Sequence, residues 1–260
     1  MGKKRNIVFL ALIFLMSTFY VFIQKDVAYA EIADPVLSQE SGYYSSSFNL
    51  TVTSDENTVV RYTTNGSIPT ASSPILTTLV IADKTNNDNV LSAEDKKYVV
   101  DNTYRNQSYY VPNYKVEKAT ILRVKAFSTI TEEESKTVTA TYLVRPSISA
   151  HNNLPILSIV TDPENLLNYE TGIYIAGKNF DDWKVTDEGK SALQAASAPW
   201  HYVGNYTMKG KEWERPAHID FLEGGGTLGF SQDMGIRIHG GMSRAEVQKS
   251  FNFYAKKDYG

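Results

Sequence analysis

Apolar and polar residues alternate along most of the chain with the two-residue period that is typical of half-buried β-strands. In the first half, the clearest alternating segments are residues 48–53, 58–63, 120–127 and 136–143. Asn65 and Gly66 directly follow the second segment, and this dipeptide favours a tight turn because both residues tolerate positive φ. Short strands at this spacing predict an antiparallel β-sandwich of about 110 residues.

The second half combines further strand patterns with one clear helix start. Asp162 followed by Pro163 is the N-cap and first-turn combination that begins many helices. Strands are predicted at residues 155–161, 172–177, 215–222, 234–239 and 249–255. The polar segment 178–212 is predicted to form loops, and residues 223–226 are predicted to form a turn.

The first 30 residues have the organisation of a secretory signal peptide. Basic residues stand at positions 3–5, an apolar run covers residues 7–23, and Ala28-Tyr29-Ala30 is a cleavage motif. The alternative is an uncleaved anchor helix, since 17 apolar residues approach the length that spans a membrane. Both interpretations predict a secreted or cell-surface protein, with a membrane contact only through an uncleaved signal peptide.

Composition narrows the functional classes. The chain contains no cysteine, which excludes disulfides and thiolate metal sites. The formal net charge is −3 and basic residues are not clustered, so we expect no nucleic-acid partner. Hydrophobic residues make up 42% of the chain, enough for a sizeable core.

Four segments of the first half resemble, in order, the chitobiase/β-hexosaminidase C-terminal-like module. They are residues 35–44, 60–70, 122–127 and 139–142, and Tyr62-Thr-Thr-Asn-Gly-Ser-Ile-Pro-Thr70 is the most specific. The resemblance implies an Ig-like accessory β-sandwich without catalytic activity over residues 31–146. The segment 73–118 is longer than the corresponding segment of the module. We therefore predict an insertion there, with a short helix at 92–98. A polar linker is predicted at 147–153.

The second half resembles the N-terminal part of the CotH kinase family, secreted and spore-coat proteins with an atypical kinase fold. The matching segments are residues 154–163, 172–177, 213–216, 235–244, 248–255 and 259–260. The resemblance implies that residues 154–260 form the β-rich beginning of an α+β kinase-like domain. The expected fold class is therefore mostly β, and ATP and Mg²⁺ are the implied cofactors of a full-length parent.

Within this resemblance, three basic residues are candidates for nucleotide binding: Lys249, Arg237 and Arg244. Phosphoryl transfer requires positive charge near the phosphates, and the Gly240-Gly241 turn would allow backbone amides to approach them. The alternative is that all three side chains are solvated residues at strand edges.

No residue of the chain matches the metal-binding and catalytic aspartates of the family, so catalytic residues are not assigned. Asp233 and Asp258 are predicted to lie in turns. We therefore expect a fragment that does not transfer phosphate, which leaves open whether the chain is an enzyme. The four histidines lack metal-ligand spacing, and no metal site is predicted.

Other candidate chemistry is weaker. The carboxylates at positions 212, 214, 220 and 223 are predicted to be charged residues at strand edges rather than the catalytic pair of a glycosidase. A Ser-His-Asp site is not predicted, because the chain lacks a Gly-x-Ser-x-Gly motif. The second functional hypothesis is a structural or carbohydrate-binding protein of the cell wall or spore surface, with glycan or coat and surface proteins as partners.

Overall fold

The structure, a computed structural model, describes residues 31–90, 112–146, 154–195 and 197–259. Its strands are β1 (Val36–Leu37), β2 (Gly42–Tyr44), β3 (Phe48–Thr53), β4 (Thr58–Thr63), β5 (Thr78–Ile81), β6 (Thr120–Ser128), β7 (Val138–Val144), β8 (Ile156–Val160), β9 (Arg215–Leu222), β10 (Leu228–His239) and β11 (Ser250–Tyr254). Its helices are α1 (Pro163–Leu167), α2 (Gly177–Lys184) and α3 (Asp187–Gln194), with 3₁₀ turns at Pro199–His201, Asn205–Thr207, Lys211–Trp213 and Met242–Ala245. The mostly β fold expected from the sequence is confirmed.

Two sheets form the N-terminal region, by which we mean residues 32–146. One sheet has the order β1-β3-β5, and the other has the order β2-β7-β6-β4. All neighbouring strands are antiparallel except β2 and β7, which run parallel. The four alternating segments of the first half all become strands, and Gly66 in the predicted turn has φ of 88°.

The two N-terminal sheets share one hydrophobic cluster. Leu50 and Ile81 come from the first sheet, whereas Leu122, Val124 and Tyr142 come from the second, and all five side chains are almost completely buried. Each buried residue of β6 alternates with a partly exposed one, because successive side chains of a strand point to opposite faces. The inner face of this sheet therefore fills the core, and its outer face is available to other parts of the chain.

The C-terminal region, residues 154–259, is built on one antiparallel sheet with the order β11-β10-β9-β8. The predicted strand at 215–222 is observed with the same bounds, whereas β10 begins six residues earlier than predicted, at Leu228. A small core on one face contains Ile173, Ile219 and Ile236. Helix α1 starts as expected, with Asp162 Oδ1 accepting a 3.0 Å hydrogen bond from the Glu164 amide.

Two predictions for the C-terminal region are wrong. The predicted strand at 172–177 is not formed: residues 173–175 are a bend and Gly177 begins α2. The amides of Ile173 and Tyr174 donate to the carbonyls of Asn165 and Leu166 in α1 instead of to a neighbouring strand. The apolar alternation of this segment instead reflects burial of Ile173 and Ile175. The predicted loop segment 178–212 instead carries α2, α3 and three 3₁₀ turns. At the start of α3, the Thr186 hydroxyl caps the helix by accepting a hydrogen bond from the Gly189 amide.

The outer face of the β2-β7-β6-β4 sheet contacts the C-terminal region, where the hydroxyls of Thr141 and Ser158 are 2.8 Å apart, and residues Ile32–Gly260 form one compact unit. Gly66 O accepts a hydrogen bond from Arg123 Nη1 at 2.8 Å, and the Ile68 amide donates to Asp162 Oδ2 at 3.2 Å. Asp162 therefore caps α1 with one carboxylate oxygen and binds the Asn65-Gly66 loop with the other.

Three predictions fall outside the described residues: the signal peptide at 1–30, the short helix at 92–98 and the linker at 147–153. In the part of the chain that the structure describes, no helix has the length and apolar character needed to cross a membrane.

Candidate functional site

Lys249 lies immediately before β11, and its ammonium group faces two aromatic rings. Lys249 Nζ is 5.0 Å from the centre of the Tyr174 ring and 4.9 Å from that of Tyr206. These distances are within the range of cation–π attraction. Nζ also donates to the Glu246 carbonyl at 2.6 Å, and the Lys249 amide donates to the Tyr174 hydroxyl at 3.2 Å. The lysine is thus held by both its backbone and its side chain.

Arg244 lies next to the same tyrosine and organises the turn between β10 and β11. Its Nε donates to Gly240 O at 2.6 Å, and its Nη1 donates to Tyr206 O and Met208 O at 3.2 and 3.1 Å. Gly240 has φ of 110°, a conformation that favours glycine. The structure therefore brings Arg244 and Lys249 together around Tyr206, with the guanidinium bound to backbone carbonyls.

Arg237 belongs to a second cluster, which is centred on Glu214. Glu214 Oε2 accepts from Arg237 Nε at 2.8 Å, and Oε1 accepts from Lys256 Nζ at 2.6 Å and from the Tyr259 hydroxyl at 2.7 Å. The Arg237 guanidinium also lies 4.3 Å from the centre of the Tyr254 ring. This Glu214 cluster attaches the residues after β11 to the start of β9.

The electrostatics of the Glu214 cluster keep the carboxylate ionised. Only 2% of the Glu214 side chain is exposed, and burial alone would raise its pKa. Hydrogen bonds from Lys256, Tyr259 and Arg237 outweigh burial and lower its pKa to about 2. Burial and the hydrogen bond to Glu214 raise the pKa of Tyr259 to about 12, so the phenol stays protonated and donates.

A third polar cluster surrounds His218 on neighbouring strands β9 and β10. His218 Nδ1 is 2.7 Å from Asp233 Oδ1, whereas Nε2 is 2.8 Å from Ser231 Oγ and 3.1 Å from Asp220 Oδ1. Pairing of His218 with Asp233 and of Asp220 with Ser231 in the β-ladder places all four side chains on one face. We call these four residues the His218 cluster.

The connectivity Ser231–His218–Asp233 is that of a Ser-His-Asp triad, but its electrostatics favour a different role. Burial would lower the pKa of His218, yet hydrogen bonds to Asp220 and Asp233 raise it to about 9. Both ring nitrogens then carry protons at neutral pH, and the imidazolium donates to its neighbours. A general base must instead accept the proton of the serine hydroxyl.

Sequence reasoning missed the Glu214 and His218 clusters. Glu214 and Asp220 are buried, so the prediction that they carry charge on strand edges is wrong. Asp233 lies within β10 rather than in a turn. The two-residue alternation in β9 was a signal that His218 and Asp220 share one face of the strand, because Ala217 and Ile219 face the core on the opposite side.

Among residues 31–90, 112–146, 154–195 and 197–259, no group of three or more His, Asp or Glu side chains is arranged to hold a metal ion. Trp183 is buried in the segment 178–212, and its ring contacts those of Phe180 and Tyr202.

Comparison with known proteins found no matching family model, no matching curated protein and no matching solved structure.

Proposed function

We propose that the protein is a secreted or surface-exposed CotH-like protein of bacterial origin whose C-terminal region binds a nucleoside triphosphate. In this proposal the N-terminal region is an Ig-like accessory sandwich, and the sheet β11-β10-β9-β8 is the nucleotide side of a kinase-like domain. The proposal rests on the resemblance of residues 235–244 and 248–255 to that family and on the surroundings of Lys249.

The observation that carries the proposal is the defined position of the Lys249 ammonium. Its Nζ lies about 5 Å from two tyrosine ring centres. A lysine that binds phosphate acts as a positive point charge, and its usefulness depends on where that charge is held. Tyr174 and Tyr206 hold the Lys249 ammonium group in a defined position.

The other two basic candidates take different parts in this proposal. Arg244 shapes the turn, since its guanidinium is bound to carbonyls of residues 206, 208 and 240. Arg237 is paired with buried Glu214 and contributes to stability more than to phosphate binding. The proposed phosphate ligand is therefore Lys249.

Mg²⁺ is the metal that the family resemblance implies, and it prefers carboxylate oxygens and water as ligands. Glu214 does not fit this role, because its carboxylate oxygens accept hydrogen bonds from Arg237, Lys256 and Tyr259. The proposal accordingly covers nucleotide binding and contains no transfer step.

Calorimetric titration with ATP, with and without Mg²⁺, tests the proposal. We expect saturable binding that Lys249→Ala weakens at least tenfold. Lys211→Ala is the matched control, because the Lys211 side chain is 75% exposed and pairs only weakly, with Asp258 at 3.4 Å. Absence of ATP binding, or equal effects of the two substitutions, would contradict the proposal.

A second candidate function is carbohydrate binding by the N-terminal region. A groove of about 460 Å³ lies between the loop at residues 68–71 and the turn at 131–134, with Lys125 and Phe127 on its floor. An aromatic ring flanked by hydroxyl and carboxylate groups suits a sugar. Retention on chitin or peptidoglycan that Phe127→Ala abolishes would support this function, and no retention of the wild-type protein would exclude it.

A further inference from the structure

Asp220 links the two regions through a buried contact. Its side chain has no exposed surface, and its Oδ2 accepts a 2.9 Å hydrogen bond from Ser41 Oγ, just before β2. Ser41 Oγ in turn accepts a hydrogen bond from the Thr141 amide of β7 at 3.0 Å. A second polar contact joins Thr141 and Ser158 hydroxyls at 2.8 Å. The contact between β9 and the N-terminal sheet thus contains a carboxylate that water does not reach.

Charged groups from three strands act on this contact. His218 is the neighbour of Asp220 on β9, Asp233 approaches from β10, and Arg123 approaches from β6. Arg123 is attracted by Asp233 and by Asp162, and its Nη1 donates to Gly66 O. His218 is the one cation that bonds directly to both Asp220 and Asp233 among these residues.

We propose that His218 is a charge-dependent latch that holds the C-terminal sheet against the N-terminal region. As an imidazolium it donates to Asp220 and Asp233 together and keeps the Asp220–Ser41 contact closed. As a neutral imidazole it has one N–H, and Asp220 loses its counter-charge.

The two carboxylates differ in what they do when that charge is lost. Asp233 has a side chain that is 51% exposed and is hydrated by turning outward. Asp220 has no exposed surface, so it gains water only if the contact with Ser41 opens. A buried carboxylate without a counter-charge is unfavourable. Loss of the imidazolium charge therefore acts on the contact between the regions.

The direction of the pH dependence follows from the His218 pKa. Burial lowers this pKa, but the hydrogen bonds to Asp220 and Asp233 raise it from 6.5 to about 9. A group whose pKa is raised in the folded state stabilises that state fully below its unfolded value. The latch is therefore closed below pH 6.5, and its contribution is lost as the pH rises through about 9.

Energy transfer between two dyes tests this proposal on the full chain. Because the chain has no cysteine, Thr51→Cys and Lys257→Cys provide two exposed labelling positions, one in each region. We expect constant transfer efficiency from pH 6 to 8 and a loss with a midpoint near pH 9. An NMR titration of the His218 ring should show the same midpoint, while circular dichroism shows unchanged strand content.

Substitutions separate the latch from general instability. Ser41→Ala should reduce transfer already at pH 7 while His218 still titrates near pH 9, and His218→Gln should remove the pH transition. His201→Gln, at an exposed histidine, should leave the transition unchanged. Deprotonation of His218 without any loss of transfer, titration of His218 near pH 6.5, or global unfolding at the same pH would each overturn the proposal.

Discussion

The two regions of the molecule are both built on antiparallel sheets, yet they bury different chemistry. The N-terminal region encloses a core shared by two sheets, in which Leu50, Leu122 and Val124 are completely buried. The C-terminal region has one sheet and a smaller core, but it contains Glu214 and Asp220, the buried charged side chains among the described residues. The comparison indicates that hydrophobic packing stabilises the first region and that satisfied charges contribute more to the second.

The largest effect is expected where packing alone stabilises the structure. Leu122→Ala removes a side chain of β6 that has no exposed surface and leaves a cavity between the two N-terminal sheets. We expect the free energy of unfolding in urea to fall by about 2–5 kcal/mol. A loss below about 1 kcal/mol would show that the N-terminal core collapses around the cavity or packs loosely.

A smaller loss is expected when the charged centre of the C-terminal region is neutralised. Glu214→Gln leaves Arg237 and Lys256 without their carboxylate, and we expect a loss of about 2 kcal/mol, below the usual range for buried pairs because both cations stay partly hydrated. Lys178→Ala, which breaks an exposed pair with Asp182, is the matched control and should have no measurable effect.

The same substitution has a pH signature. The pKa of Glu214 is lowered from 4.5 to about 2, so its contribution is present above pH 4.5 and is lost as the pH falls toward 2. Wild-type stability should therefore fall more steeply than that of Glu214→Gln between pH 4.5 and 2. Parallel pH profiles of the two proteins would contradict the role given to this carboxylate.

The smallest of these effects is expected for the Asn65-Gly66 loop, which packs against the C-terminal region at Thr161 and Asp162. Gly66 has φ of 88°, and a Cβ atom there would lie 2.9 Å from Thr161 O. Gly66→Ala should cost about 1–2 kcal/mol for the left-handed backbone, in addition to displacing Thr161. Gly225→Ala is the control, because a Cβ atom at Gly225 meets nothing within 4 Å. Equal stability of the two variants would rule out close docking of the loop.

Strands and turns with a clear local pattern were predictable from the sequence. β3, β4 and β9 have the predicted bounds, and Asp162-Pro163 begins a helix as expected. The reason is that alternation, Asn-Gly turns and N-caps act over a few neighbouring residues. Residues 172–177 show the limit of this reasoning, because burial against a helix produced the same alternation as a strand.

The candidate site was predictable in part. Lys249 and Arg244 lie near each other in sequence, but their common neighbour Tyr206 is about 40 residues away and was not singled out. The hydrogen-bonded residues Glu214 and Lys256 are 42 positions apart in the sequence, and Ser41 and Asp220 are 179 positions apart. Such contacts depend on the packing of distant strands, and a single sequence contains no local signal for them.

We propose that the C-terminal region binds nucleotide through Lys249. The ATP dissociation constants of the wild-type protein, Lys249→Ala and Lys211→Ala, determined under identical conditions, test this proposal. We expect saturable ATP binding to the wild-type protein and to Lys211→Ala, and at least tenfold weaker binding to Lys249→Ala. Failure of the wild-type protein to bind ATP, or the same affinity in all three proteins, would contradict it.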